Sequence, residues 1–137
     1  QMVRLARATY PDRPFIVGDA TDLPLKSRGC DVFISGTVLM HLLGYAEAIR
    51  EAVRVSRRWC IFHTVPVVRR RATTFLRKLA YDSPVVEIIF NENELLALFE
   101  KDRLHVERTY QSVPHSYLDS HLGEPVQAHT YLCSVPP

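Results

Sequence analysis

The chain has 137 residues, 47% hydrophobic and 23% charged, with a formal net charge of +2. This is the balance of one ordinary globular domain, and the charge is too small to mark a nucleic-acid surface by itself. No apolar run reaches the roughly 18 residues of a membrane span, and no signal-peptide pattern is present. Cys30, Cys60 and Cys133 are odd in number, lack C-x-x-C spacing and lie in or beside apolar runs. They read as free thiols buried in a reducing compartment, so the expected location is the cytoplasm. The sequence starts in mid-pattern at Gln1 and reads as a piece of a longer protein.

From Met2 to Ala8, Met2, Leu5 and Ala6 share one helical face, the end of an amphipathic helix. Tyr10-Pro11-Asp12-Arg13-Pro14 stops it, because proline disfavours helix in the residue before it. Phe15-Ile16-Val17, halted by Gly18-Asp19, has the form of a short buried parallel strand. A polar connection leads to a second buried strand, Cys30 to Ser35, and then to a loop or short helical turn over Gly36 to Leu43. A helix is predicted from Tyr45 to Ser56. Tyr45, Ala48, Ile49, Ala52 and Val53 form its core stripe, with Glu47, Arg50, Glu51 and Arg54 on the other side. Trp59 to Val65 is a third buried strand.

In the second half, Arg69 to Ala80 is predicted as a basic helix. Asn91-Glu92-Asn93-Glu94 resembles a capping box leading into the helical run Leu95 to Phe99. Leu104 to Tyr110 alternates like a half-exposed strand, and Ala128 to Val135 is a last strand, antiparallel to it. Strands alternating with amphipathic helices predict an α/β fold with a parallel sheet, here as one domain over residues 1–137.

An ordered set of motifs runs through these elements: Gly18-Asp19-Ala20, Leu23-Pro24, Cys30-Asp31-Val32-Phe33-Ile34-Ser35, Val38-Leu39-Met40-His41, Glu51-Ala52-Val53-Arg54-Val55 and Trp59-Cys60-Ile61-Phe62. The set resembles the class I S-adenosylmethionine-dependent methyltransferases of small-molecule type. The resemblance implies a Rossmann-like sheet of parallel strands with a C-terminal antiparallel hairpin, lacking its first βαβ elements. The strand, Gly-x-Gly loop and acidic strand end that hold the ribose and methionine of the cofactor would precede Met2, in roughly 50 or more residues. Their absence would leave a gap beside the Cys30 strand, so that the fragment is unstable alone or pairs with a partner, a homodimer included. Residues 1–67 would form the adenine-side half, and 68–137 the substrate-side helices and closing hairpin.

Ligands of doubly wound sheets lie at the carboxyl ends of the strands. By resemblance, the Asp19 carboxylate accepts from the exocyclic amine of adenine and the Ala20 N–H donates to a ring nitrogen. An Asp there also caps the following turn. By resemblance too, Ser35 and Gly36 approach the amino-acid part of the cofactor, or else form a plain strand-to-loop turn. Met40 packs on the adenine or in the core. His41, six residues past the second strand, is the candidate catalytic base or a wall of the pocket. His63, at the end of the third strand, is a candidate substrate contact. Arg70, in the basic run Arg69-Arg70-Arg71 with Arg77 and Lys78, would hold an anionic substrate or merely line a solvated helix face. Tyr81 and Tyr110 could add aromatic walls. His115, His121 and His129 are too loosely spaced for a metal motif, and none is expected.

Neither the Tyr-x-x-x-Lys of short-chain dehydrogenases nor the Asn/Asp-Pro-Pro-Tyr/Phe motif of amino-group DNA methylases occurs. The expected activity is methyl transfer from S-adenosylmethionine to an oxygen, nitrogen or carbon of a small molecule, with S-adenosylhomocysteine as product. No nucleic-acid or membrane partner is expected. The alternative is a non-catalytic methyltransferase-like domain used as an interaction module.

Overall fold

A computed structural model describes residues 2–80, 82–114 and 122–137. The order is α1 (Met2–Thr9), β1 (Cys30–Gly36), a 3-10 turn (Leu39–His41), α2 (Tyr45–Val55), β2 (Ser56–Val68), β3 (Thr74–Ala80), β4 (Ser83–Asn91), α3 (Glu92–Lys101), β5 (His105–Pro114) and β6 (Gln127–Ser134). The strands form one sheet in the order β3-β4-β2-β6-β5, with β1 also on β2. β2 is its spine. One edge pairs antiparallel with β6 from Trp59 to Val67. The other is shared by two parallel neighbours, β1 up to Gly36↔His63 and β4 from Val67↔Phe90. β5 and β6 are the expected antiparallel pair.

Side chains alternate across these strands. On one face Phe62, Val65, Tyr131 and Cys133 are buried, joined by Ile49 and Ala52 of α2 and by Leu95 and Phe99 of α3. Phe62 stacks on Phe99 at 5.0 Å between ring centroids, and Phe99 meets Tyr131 edge-on at 5.6 Å. α2 presents the stripe read from its periodicity, with Ala48, Ile49, Ala52 and Val55 buried. Asn91 caps α3 as expected, accepting from the N–H groups of Asn93 and Glu94. The capping box is not reciprocal, however. The Asn91 N–H donates to the Thr73 hydroxyl, and the Glu94 carboxylate accepts from Thr73.

Two predicted elements are corrected. Phe15-Ile16-Val17 is not a strand; Ile16 and Val17 are exposed, and no described strand lies beside them to take up their backbone groups. Residues 69–80 are not a helix. After a turn at 69–73 they form β3, paired residue by residue with β4 from Thr74↔Ile89 to Ala80↔Ser83. Phe75 and Leu79 are spaced for one helical face, but they are equally spaced for one face of a strand. The β-branched run Val85-Val86 and Ile88-Ile89 next in the chain offers a partner, and tertiary pairing overrides local propensity. The pattern of residues 69–80 does not announce this hairpin; the Val85–Phe90 run is the signal for it. Besides the closing β5–β6 pair, residues 68–137 therefore hold a hairpin and one described helix rather than helices.

Candidate active site

The carboxyl end of β1 is where the motifs converge. Gly18 is packed so that a Cβ would lie 2.6 Å from Cδ of Pro24, closer than such contacts allow. The Gly-Asp-Ala and Leu-Pro motifs are thus two sides of one contact. A clamp from α2 holds the second side. The Leu23 N–H donates to Glu51 Oε2 at 2.7 Å, and Arg54 donates to the carbonyls of Leu23 (3.0 Å) and Leu25 (2.8 Å). Glu51 and Arg54 pair with each other at 2.6 Å, one helical turn apart. The Arg54 guanidinium, aided by the Leu23 N–H, holds the Glu51 carboxyl below its ordinary range against the opposing effect of burial. The Glu-x-x-Arg motif serves to fix the loop that carries Asp19 and Ala20.

Asp19 Oδ1 accepts from the Thr21 N–H at 2.8 Å and the Thr21 hydroxyl at 2.7 Å, which lowers its pKa. It caps the turn and keeps Oδ2 as an acceptor. Ala20 and Ser35 line an apolar slot of about 110 Å³ with Phe33, Val38, Leu39 and Leu42. A Cβ built at Gly36 would meet nothing within 4 Å, so the strand end is open to close approach. Next to it Thr37 has φ 57°, an outlier for a β-branched residue. Its N–H donates to the His63 carbonyl at 3.1 Å, which holds the turn.

The 3-10 turn buries Leu39 and Met40 and leaves His41 exposed. His41 Nδ1 lies 2.6 Å from the Val86 carbonyl oxygen. A carbonyl only accepts, so Nδ1 carries the proton of this bond and a neutral ring keeps Nε2 as a free acceptor. Met40 and His41 line a cavity of about 680 Å³ with Thr37, Leu43, Lys78, Pro84, Val85 and Val86. Lys78 is ion-paired with the buried Glu87.

His63 and Arg70 are not brought into this cavity. His63 Nδ1 meets the Thr130 hydroxyl at 2.9 Å. Arg70 lies beyond β2, in a depression lined also by Glu124 and Gln127, and donates to the Gly123 carbonyl. Glu124 accepts from the N–H groups of Arg69, Arg70 and Arg71, which together draw its carboxyl down although burial opposes them. The basic run is thus divided: Arg69–Arg71 form an internally satisfied turn, and Arg77 and Lys78 go to the hairpin. Sequence reasoning missed Val86, because nothing local signals its approach to His41, and it read Lys78 and Arg77 only as part of the basic run. Tyr110 is on β5, away from the cavity, and Tyr81, His115 and His121 lie outside the described residues. His129 is buried against Glu92 and Tyr131. Among the described residues no three His, Cys, Asp or Glu side chains gather as a metal site.

Comparison with known proteins bears on this geometry. Residues 1–62 match a family described as the methyltransferase domain. Those residues thus resemble a methyltransferase domain, and the fold is that of solved methyltransferases. Structural similarity extends over nearly the whole chain. An S-adenosylmethionine-dependent methyltransferase from Methanosarcina mazei matches at TM-score 0.70 and 14% identity, over 97% of this chain and 76% of that one. Magnesium protoporphyrin IX methyltransferase from Synechocystis PCC 6803, with bound S-adenosylmethionine, matches at 0.64 and 14%, over 98% and 55%. The 1,6-didemethyltoxoflavin-N1-methyltransferase of Burkholderia thailandensis, with bound 1,6-didemethyltoxoflavin and S-adenosylhomocysteine, matches at 0.60 and 13%, over 98% and 56%. The chain thus spans little more than half of these last two structures. No curated protein matches it significantly.

Proposed function

We propose that this chain serves S-adenosylmethionine-dependent methylation of an oxygen, nitrogen or carbon nucleophile on a small molecule in the cytoplasm. One observation carries the proposal: His41, its ring fixed by the Val86 carbonyl, opens onto a cavity of about 680 Å³ at the carboxyl end of β1. That is the ligand side of a doubly wound sheet. Residues at the same strand end fit the adenine end of the cofactor. Asp19 Oδ2 and the Ala20 N–H offer an acceptor and a donor, the apolar slot beside Ser35 can take a ring, and Gly36 leaves room for close approach. When bound, the cofactor supplies an electrophilic methyl group. The chain's own task is then to hold the acceptor in line and to remove its proton. Met40, Leu43 and Val86 exclude water around the acceptor, and His41 Nε2 takes the proton released from its O–H or N–H. The buried thiols of Cys60 and Cys133 suit a reducing compartment.

Titration calorimetry of the chain with S-adenosylhomocysteine tests the cofactor side. Binding is expected, weakened about tenfold or more by Asp19→Ala. No heat from the intact chain would remove the proposal. On an accepted substrate, His41→Ala is expected to lower kcat by about 10²–10⁴-fold with unchanged S-adenosylhomocysteine affinity.

A second reading, an interaction module, is favoured by the sheet face opposite α2 and α3, where Val32 and Ile34 are exposed. A second copy of the chain is the occupant proposed for that face. Sedimentation equilibrium tests this: concentration-dependent dimers that Ile34→Lys abolishes are expected, and a strict monomer sinks the reading.

A further inference from the structure

Resting on the methylation reading above, we infer that the acceptor is an elongated, mostly apolar acid whose anionic group is held by Arg77, with the nucleophilic atom at the opposite end beside His41. The His41 cavity is not closed. It shares Leu43, Pro84, Val85 and Val86 with a second depression of about 400 Å³, which continues over Phe75, Leu76 and Arg77 of the hairpin. The two make one groove along the β3–β4 face. Its walls are apolar, and Leu43 and Phe75 are more than half exposed although no described residue covers them. Large apolar side chains left open along a groove mark a surface that an apolar ligand covers.

Charge fixes the rest of the ligand. No carboxylate lines either depression. Lys78, at the His41 end, is already matched by Glu87, so it adds little net charge there. Arg77 is different. It lies on the same hairpin face as Phe75, opposite Val86, and no described residue forms an ion pair or side-chain hydrogen bond with it. A guanidinium set among apolar walls without a partner favours a carboxylate or another planar oxyanion, which it can take in a two-bond fork. The polarity of the groove therefore runs from a proton acceptor at His41, across apolar surface, to a cation at Arg77. A ligand that complements it carries a weakly acidic O–H or N–H at one end and an anion at the other.

The test compares 6-hydroxy-2-naphthoate with 2-naphthol, which lacks the carboxylate. Calorimetric binding to the chain needs no turnover. The acid is expected to bind at least about tenfold more tightly than 2-naphthol, the size of one charge-assisted fork. Arg77→Gln should remove that difference while leaving 2-naphthol affinity and the circular dichroism spectrum unchanged. Binding of neither compound, equal binding of both, or a preference that survives in Arg77→Gln overturns the inference. The two proposals fail separately. Binding of the acid without S-adenosylhomocysteine binding would refute methylation and leave the acid site standing. Methylation with S-adenosylhomocysteine release but no preference for the acid would do the reverse.

Discussion

The two faces of the central sheet are built from the same strands and have opposite fates. On one, Phe33, Cys60, Phe62 and Tyr131 lie under α2 and α3, and Phe62, Cys60 and Tyr131 are within 1% of complete burial. On the other, Val32 and Ile34 of β1 remain 44% and 63% exposed, next to Trp59 and Ile61 of β2 and Leu132 of β6 in the strand register. No described helix packs there. Residue type is nearly the same on both sides, so hydrophobicity alone does not decide burial. A sheet face becomes core only when a second layer is laid on it, and parallel sheets need a layer on each side.

The contrast can be broken first at its centre. Phe62→Ala is expected to lose about 3–5 kcal/mol of stability in urea unfolding, because the ring stacks on Phe99 and its removal leaves a cavity. A loss under about 1 kcal/mol would mean that the covered face is loosely packed. Thiol chemistry should sharpen the same contrast. Burial pushes Cys60 up to about 11 and Cys133 to about 12, so labelling by a thiol reagent at pH 8 should be about a hundredfold slower at Cys60 and about a thousandfold slower at Cys133 than at an ordinary thiol. Rapid labelling of all three cysteines would contradict this.

The loop clamp comes next. Glu51→Gln is expected to cost about 1–3 kcal/mol near neutrality, since it weakens a partly buried charged pair and its bond to Leu23. The Glu51 carboxyl is held below its ordinary value of 4.5 in the folded chain, so its stabilising contribution is present above that pH and fades as the pH falls towards the folded value. The gap between wild type and Glu51→Gln in thermal unfolding should be flat from about pH 8 to 5 and narrow in more acid solution. A gap that widened with acid would reverse the sign argued here. The smallest effect belongs to the bare face. Ile34→Ser should change monomer stability by no more than about 0.5 kcal/mol, as exposed positions do.

Much of this fold is legible in the sequence, for reasons that differ by element. β1, β2 and β6 are apolar runs, and α2 has a five-residue stripe that only a helix brings to one face. Asn91 announces α3 by capping chemistry that acts within three residues. What was not legible depends on distant partners. Phe15-Ile16-Val17 has the composition of a strand but no described neighbour, and β3 is a strand because β4 is there. In the site, Asp19 was readable as a cap or an adenine acceptor, and the cap is built from Thr21, two residues away. The ring state of His41 was not readable, since the carbonyl that orients it stands 45 residues downstream. Arg70 was picked for its charge, yet it is the backbone of its run that the fold uses, as a cradle for Glu124.

The divided edge of β2 has a consequence for the width of the groove beside it. β1 leaves that edge at His63 and β4 joins it at Val67, with Thr64 between them at φ 56°. The interval, together with the His41–Val86 hydrogen bond, sets how far the His41 turn stands from the hairpin. One residue gained or lost there would change the width of the groove and turn the β2 side chains that follow it to the other face of the sheet. A length change in this interval thus reshapes the groove only by repacking Val65 and Val67, so the core sets a limit on how wide the groove can become.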